Sequence, residues 1–309
     1  MKPIIFTLAF LVFGCAFGQD ATMISTELSI NKFIDGTLLT PKSGESAQLA
    51  IIIADAGPTD RNGNQNFLKS NVLKKLAEGL TKNGIATFRY DKRIVKQILK
   101  NKVDPNIVFD DFVTDAKAIV DYFVNDKQFK QLYIVGHSQG SLVGMLASKA
   151  NVSGFVSLAG AGNSIDEVII DQVAVMDSAL VAPAQKAFES LRQGKTTTDY
   201  PKVLGSIFSA DVQPFMMNWM QYHPQELMAA LDIPVLVVNG TKDLQVSVEE
   251  ATLLERAAKN ADLKIIDHMN HVLFIINGSK LENSKSYNES FRPISTELIM
   301  VVSEFIKSH

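Results

Sequence analysis

The chain has 309 residues, 46 % of them hydrophobic and 20 % charged, with a formal net charge of −3 at pH 7. That length suits one large domain or two small ones, with enough apolar residues for a sizeable core. The slight acidic balance leaves no basic surplus to neutralise phosphates, which argues against nucleic acid as a partner.

Residues 1–18 stand apart from the rest. Lys2 supplies one positive charge and residues 4–13 form an apolar run too short for a normal membrane span. Ala16 and Gly18 are small residues at the spacing a signal peptidase requires, so cleavage before Gln19 is expected, with export to the periplasm or beyond. A lipoprotein reading competes, because Val12-Phe13-Gly14-Cys15 resembles a lipobox; membrane attachment would then run through Cys15. Cys15 is the only cysteine, so a chain cleaved before Gln19 has no disulfide and relies on its core.

Residues 23–30 and 33–40 read as a strand pair. Residues 49–54 (LAIIIA) are a continuous apolar run of strand length, the mark of a strand buried on both faces of a parallel sheet. Similar runs follow at 85–90, 132–135, 155–158, 235–238 and 263–266. Helical patterns separate them at 67–82, 108–125, 141–150, 247–259 and 294–306. Strands alternating with helices predict an α/β fold, a mostly parallel, doubly wound sheet over residues 19–309. One region breaks the alternation. Residues 163–230 have helical periodicity, no clear strand, and Pro183, Pro201, Pro214 and Pro224 to cut them into short helices. An insertion of this kind between strands is a candidate lid.

Chemistry concentrates at Gly136-His137-Ser138-Gln139-Gly140, which follows the run at 132–135 and opens a helix. This is G-x-S-x-G in the strand-turn-helix context the motif needs. The nucleophile Ser138 sits on a sharp turn that glycines without Cβ allow, and the helix N-terminus aims amides at developing negative charge. A serine hydroxyl needs a base. Of the five histidines, His268 and His271 both follow the last apolar run, where the base belongs in chain order. His271 is preferred as the one further out on the loop. The acid belongs after the penultimate strand, where Asn239-Gly240-Thr241-Lys242-Asp243 supplies Asp243; Asp262 and Asp267 are weaker alternatives. The oxyanion hole should combine the Gln139 amide with one from the loop after residue 54, assigned to Ala56.

Several stretches carry a more specific resemblance. Gly57-Pro58-Thr59-Asp60-Arg61-Asn62-Gly63, Phe88-Arg89-Tyr90-Asp91-Lys92-Arg93, Val212-Gln213-Pro214-Phe215 with Trp219, Gly240-Thr241-Lys242-Asp243-Leu244-Gln245-Val246 and Met269-Asn270-His271 resemble a group of bacterial carboxylesterases of the α/β-hydrolase superfamily. The group is also described as dienelactone-hydrolase-like or serine-aminopeptidase-like. The resemblance spans nearly the whole chain after residue 18 and implies the triad Ser138, Asp243 and His271. One departure matters: related esterases carry His-Gly where this chain has Ala54-Asp55. Turned inward, the Asp55 carboxylate disfavours a nearby oxyanion; turned outward, it only caps the loop.

Asp60, Arg61, Asp91, Lys92 and Arg93 lie on loops at strand ends, either to bind a charged substrate group or to pair and brace the loops. Phe215, Met216 and Trp219 are the expected wall of a substrate pocket, the alternative being a core internal to the lid. No Cys/His cluster suggests a metal, and no G-x-G-x-x-G follows the first buried strand, so neither metal nor cofactor is expected. The reading is a serine hydrolase of small-molecule carboxylic esters. A peptidase, thioesterase or acyltransferase with the same triad, or a catalytically silent binding protein of the same fold, are the alternatives.

Overall fold

The computed structural model describes residues 22–42, 46–148 and 151–309. The leader read at 1–18, with Cys15, lies outside them. Eight strands form one sheet: β1 (Met23–Ser29), β2 (Asp35–Pro41), β3 (Gln48–Ile53), β4 (Ala86–Tyr90), β5 (Gln131–His137), β6 (Gly154–Leu158), β7 (Val235–Gly240) and β8 (Ala261–Ile266). Their spatial order is β1-β2-β4-β3-β5-β6-β7-β8. β1 and β2 pair antiparallel with each other and β2 antiparallel with β4, while every pairing from β4 through β8 is parallel.

The apolar runs explain this arrangement. Side chains alternate across a strand, and a strand covered on both faces is apolar at every position. On β3, Leu49, Ile51 and Ile53 enter the layer under helices Phe109–Asp126, Gln139–Ala147 and Val248–Ala257. Ala50, Ile52 and Ala54 enter the opposite layer, under helices Val72–Lys82 and Thr296–Ser308. The sheet is therefore clad in helices on both sides. Among the described residues, no helix is long and apolar enough to cross a membrane.

Some boundaries differ from the periodicity. The helix expected from residue 67 begins at Val72, because Gln65 and Leu68 form an isolated bridge and Asn71 turns into the left-handed region at φ 54°. The helix expected at 141–150 begins at Gln139, and its last described helical residue is Ala147. Two helices of 7 residues, Arg93–Leu99 and Lys280–Ser286, were not expected from the sequence, being too short to sustain a period.

Between β6 and β7 the chain runs through short helices, among them Ile165–Met176, Val181–Arg192, Gln213–Trp219 and Pro224–Ala229. They bury a core of their own, with Phe188, Leu191, Leu204, Phe208 and Met216 at its centre. Glu250 fastens the entry to this segment, accepting from the Gly162 and Asn163 amides at 2.7 and 2.8 Å.

The crossing of β5 into its helix decides where the chemistry sits. A Cβ on Gly136 would lie 2.3 Å from the Gly140 carbonyl oxygen, and one on Gly140 would lie 2.4 Å from the Ile53 carbonyl oxygen. Those separations are available only to glycine, so strand, turn and helix close on one another. Gly140→Ala is expected to cost about 1–3 kcal/mol of stability, the usual penalty of overpacking. The check is a urea midpoint that falls at unchanged slope.

Candidate active site

Ser138, the expected nucleophile, is held in strain. Ser138 has φ 53° and ψ −116°, a conformation that costs a non-glycine residue about 1–3 kcal/mol and persists only where the surroundings enforce it. The enforcement is visible: the Ser138 amide donates to the Leu158 carbonyl at 2.8 Å, and the two glycines leave no other course for the chain. Gln139 is the first helical residue, so its N–H has no acceptor within the helix.

Asp243 follows β7 and His271 follows β8. The His271 Nδ1–H donates to Asp243 Oδ2 at 2.8 Å. The other oxygen, Oδ1, accepts from the Gln245 and Val246 amides at 2.7 and 2.9 Å. Both side chains are sealed from solvent, at 0 % exposure for Asp243 and 1 % for His271. The loops that carry them are locked together. Gly240 passes so close to Met269 that a Cβ would lie 2.0 Å from its carbonyl oxygen. Asn270 donates to Asn283 and Ser286, each at 2.8 Å, and Asn283 donates to the Lys242 carbonyl at 2.6 Å. His137, inside the elbow, donates from Nε2 to the His271 carbonyl at 2.8 Å. Its own pKa is lowered, first by burial and then by the neighbouring His271 charge. His268 points away instead, 44 % exposed, with Asp267 as its ionic neighbour at 3.3 Å. The structure thus joins His271 and not His268 to Asp243.

Asp55 turns inward. Its Oδ1 accepts from the Ala56 amide at 2.5 Å, and its Oδ2 lies 3.5 Å from His271 Nε2. The amide expected to bind an oxyanion therefore already holds a carboxylate. Burial alone would raise the Asp55 carboxyl; the close approach and charge of His271, the charge of His137 and the contact with Ser138 outweigh it and hold the group well below the usual carboxylate range. His271 responds in the opposite sense. Burial would lower it, but Asp243 and then Asp55 raise it to about 10. Among the described residues its Nε2 has no hydrogen-bond partner, Asp55 Oδ2 standing at 3.5 Å. The sequence carried a signal for this feature in the departure at Ala54-Asp55, but not the direction of the side chain.

Two cavities meet at Ala56 and Gln245. One, of about 240 Å³, is lined by Ser138, Gln139, Leu142, Ile169 and Trp219. The other, of about 280 Å³, is lined by Asp55, His271, Gln65, Ser70 and Tyr287. Of the three expected pocket residues, Trp219 alone faces the first cavity. The other two line neither cavity: Met216 is 5 % exposed within the core of the helical segment, and Phe215 packs edge-on against Phe109 and tilted against Phe112. A run of methionines and aromatics on one short helix divides between faces, and composition does not say which side chain takes which. No three metal-ligating side chains converge among the described residues.

The charged loop residues mostly brace one another. Arg61 pairs with Asp91 at 2.6 Å and with Glu27, and Arg93 with Asp115 at 2.7 Å and with Asp111. Since the Asp243 charge leads the groups that raise His271, Asp243→Asn is expected to bring the imidazole pKa down well below 10. An NMR titration of the His271 ring in both proteins measures the difference.

A family model described as serine aminopeptidase, S33, matches residues 68–275. The esterase EstD of Thermotoga maritima is 25 % identical over 249 residues, which are 78 % of this chain and 58 % of that protein. The chain thus spans little more than half the length of that curated relative. Among solved structures, Est1E from Butyrivibrio proteoclasticus with ferulic acid bound aligns with a TM-score of 0.58 and 18 % identity, covering 92 % of this chain and 98 % of that one. The Pyrococcus furiosus esterase Pf2001 aligns with a TM-score of 0.55 and 16 % identity, covering 93 % and 91 %. At such identities these two alignments speak for the fold alone.

Proposed function

From its membership of the serine aminopeptidase S33 family of α/β-hydrolases, to which the chain belongs, we propose that this hydrolase cleaves small carboxylic esters through an acyl-enzyme on Ser138. The observation that carries the reading is the buried 2.8 Å bond between His271 and Asp243, at the strand ends beside a serine held at φ 53°. In this reading Ser138 Oγ attacks the ester carbonyl and gives its proton to His271 Nε2. Asp243 keeps Nδ1 protonated and stabilises the imidazolium. The Gln139 and Ala56 amides take the oxyanion. Collapse expels the alcohol, which receives the proton from His271, and water then repeats the sequence on the acyl-enzyme. The curated relative being an esterase, and the largely apolar cavity beside Ser138, support an ester with an apolar acyl group. Ser138→Ala is expected to lower turnover of p-nitrophenyl acetate by on the order of 10⁴-fold or more, because triad members act as a unit. Retained turnover in that variant rejects the mechanism.

Asp55 sets a condition on this chemistry. A substrate carbonyl can use the Ala56 amide only when the Asp55 carboxylate leaves it, and His271 can act as base only when it is neutral. With its pKa raised to about 10, the imidazole is charged at neutral pH and loses its proton as pH rises. kcat/KM is therefore expected to climb from neutrality toward pH 10. Asp55→Gly removes one of the two carboxylates that raise His271 and frees the Ala56 amide. Its pH–rate limb should move to lower pH, and its kcat at pH 7 should rise by on the order of tenfold or more, since one oxyanion donor is worth about 10²–10³. A pH–rate series on both proteins measures both effects.

A further inference from the structure

Three charged residues in succession leave β4, and two of them have ionic partners: Asp91 takes Arg61, and Arg93 takes Asp115. Lys92 does not follow suit. It is 4 % exposed, and among the described residues no carboxylate lies within ion-pair distance of its nitrogen. Nζ donates instead to the Asp55 carbonyl at 2.9 Å and to Gln139 Oε1 at 2.6 Å, and it stands 4.3 Å from the centre of the Phe112 ring. Burial pushes the amine down to about 7, with the Asp55 charge working against that fall. Removing an ammonium from water without a counter-ion is costly, and such groups gather at functional sites.

The two acceptors belong to the two halves of the oxyanion hole. The Asp55 carbonyl and the Ala56 N–H are opposite ends of one peptide unit. That unit is planar, so fixing the direction of the oxygen fixes the direction of the N–H. A hydrogen bond accepted at the oxygen also polarises the unit and strengthens the donor at its far end. Gln139 is the residue whose amide opens the helix after Ser138. One nitrogen on the loop after β4 thus connects the loop after β3 to the turn after β5. Loss of a proton from Lys92 leaves two N–H groups, one for each acceptor, so the connection survives deprotonation.

We propose that Lys92 is a positioning residue that clamps the Ala56 and Gln139 amides into a single oxyanion hole. The proposal rests on the Ser138 hydrolase reading. A clamp acts on the transition state and leaves ground-state binding alone, so its signature is a loss in kcat with KM nearly constant. Lys92→Met keeps the aliphatic stem against Phe112 and removes the donors. It should lower kcat for p-nitrophenyl acetate roughly 10- to 100-fold, somewhat less than removal of a whole oxyanion donor, while KM changes by less than about threefold. Binding of an aryl trifluoromethyl ketone, which forms a tetrahedral oxyanion on the serine, should weaken by the same factor. Gln139→Met removes one acceptor and leaves the backbone amide. It should show a smaller loss in the same direction, and the double variant should be no worse than Lys92→Met alone. Gln139→Met also serves if Lys92→Met does not fold. Unchanged kcat and ketone affinity in both variants, with the wild type active, reject the clamp and leave the hydrolase reading standing. A loss confined to KM assigns Lys92 to substrate binding and likewise rejects it. A wild type that neither turns over the ester nor binds the ketone rejects both readings together.

Discussion

The 2.8 Å bond between His271 and Asp243 is the constraint around which the carboxyl ends of the last two strands are built. Both partners are cut off from solvent, and a buried charge left without its partner costs several kcal/mol. The two loops therefore have to stay in register. They do so through the contact of Gly240 with Met269, the Asn270–Asn283–Ser286 bonds and the His137 side chain on the His271 carbonyl. What they hold is the orientation of one ring, with Nδ1 committed to Asp243 and Nε2 turned toward Asp55.

A second carboxylate enters the electrostatics of this site. Asp55 approaches the same imidazole from the Nε2 side, so His271 stands between two aspartates. Each stabilises the imidazolium, and together they outweigh the cost of burying it. The same carboxylate engages the Ala56 amide. The Ala56 amide, His271 and Ser138 thus share a resident anion where, in the proposed reaction, an ester would develop its own charge. Lys92, reaching the carbonyl of that very residue, ties the anion-bearing loop to the elbow.

Much of this was legible in the amino-acid order, for physical reasons that can be named. A strand covered on both faces is apolar throughout, so LAIIIA at 49–54 and the runs at 132–135 and 235–238 mark β3, β5 and β7 without ambiguity. The elbow declared itself because only glycine tolerates the contacts made at positions 136 and 140. Chain order alone left both His268 and His271 as candidate bases, and loop geometry separates them: His268 takes φ 59° and is 44 % exposed, while His271 is buried against Asp243. Other features were not legible. The direction of the Asp55 side chain depends on His137 and Ser138 at the end of β5 and on His271 in the loop after β8, all remote in sequence. Lys92 looks like its neighbours Asp91 and Arg93 in the sequence, and only the packing reveals that it lacks an ionic partner. Met216 and Phe215 share a helix with Trp219 but turn to other layers, since a helix of 7 residues has no long stripe to betray its buried face.

The central claim is that Ser138 is a nucleophile activated from His271, and a covalent probe reaches it most directly. A fluorophosphonate added to the folded protein at pH 8 to 9, followed by intact and peptide mass measurement, should add one phosphonyl group per chain, on the peptide containing Ser138. The Ser138→Ala and His271→Ala proteins should show none. A wild type that remains unmodified, or a label found on another residue, would contradict the account.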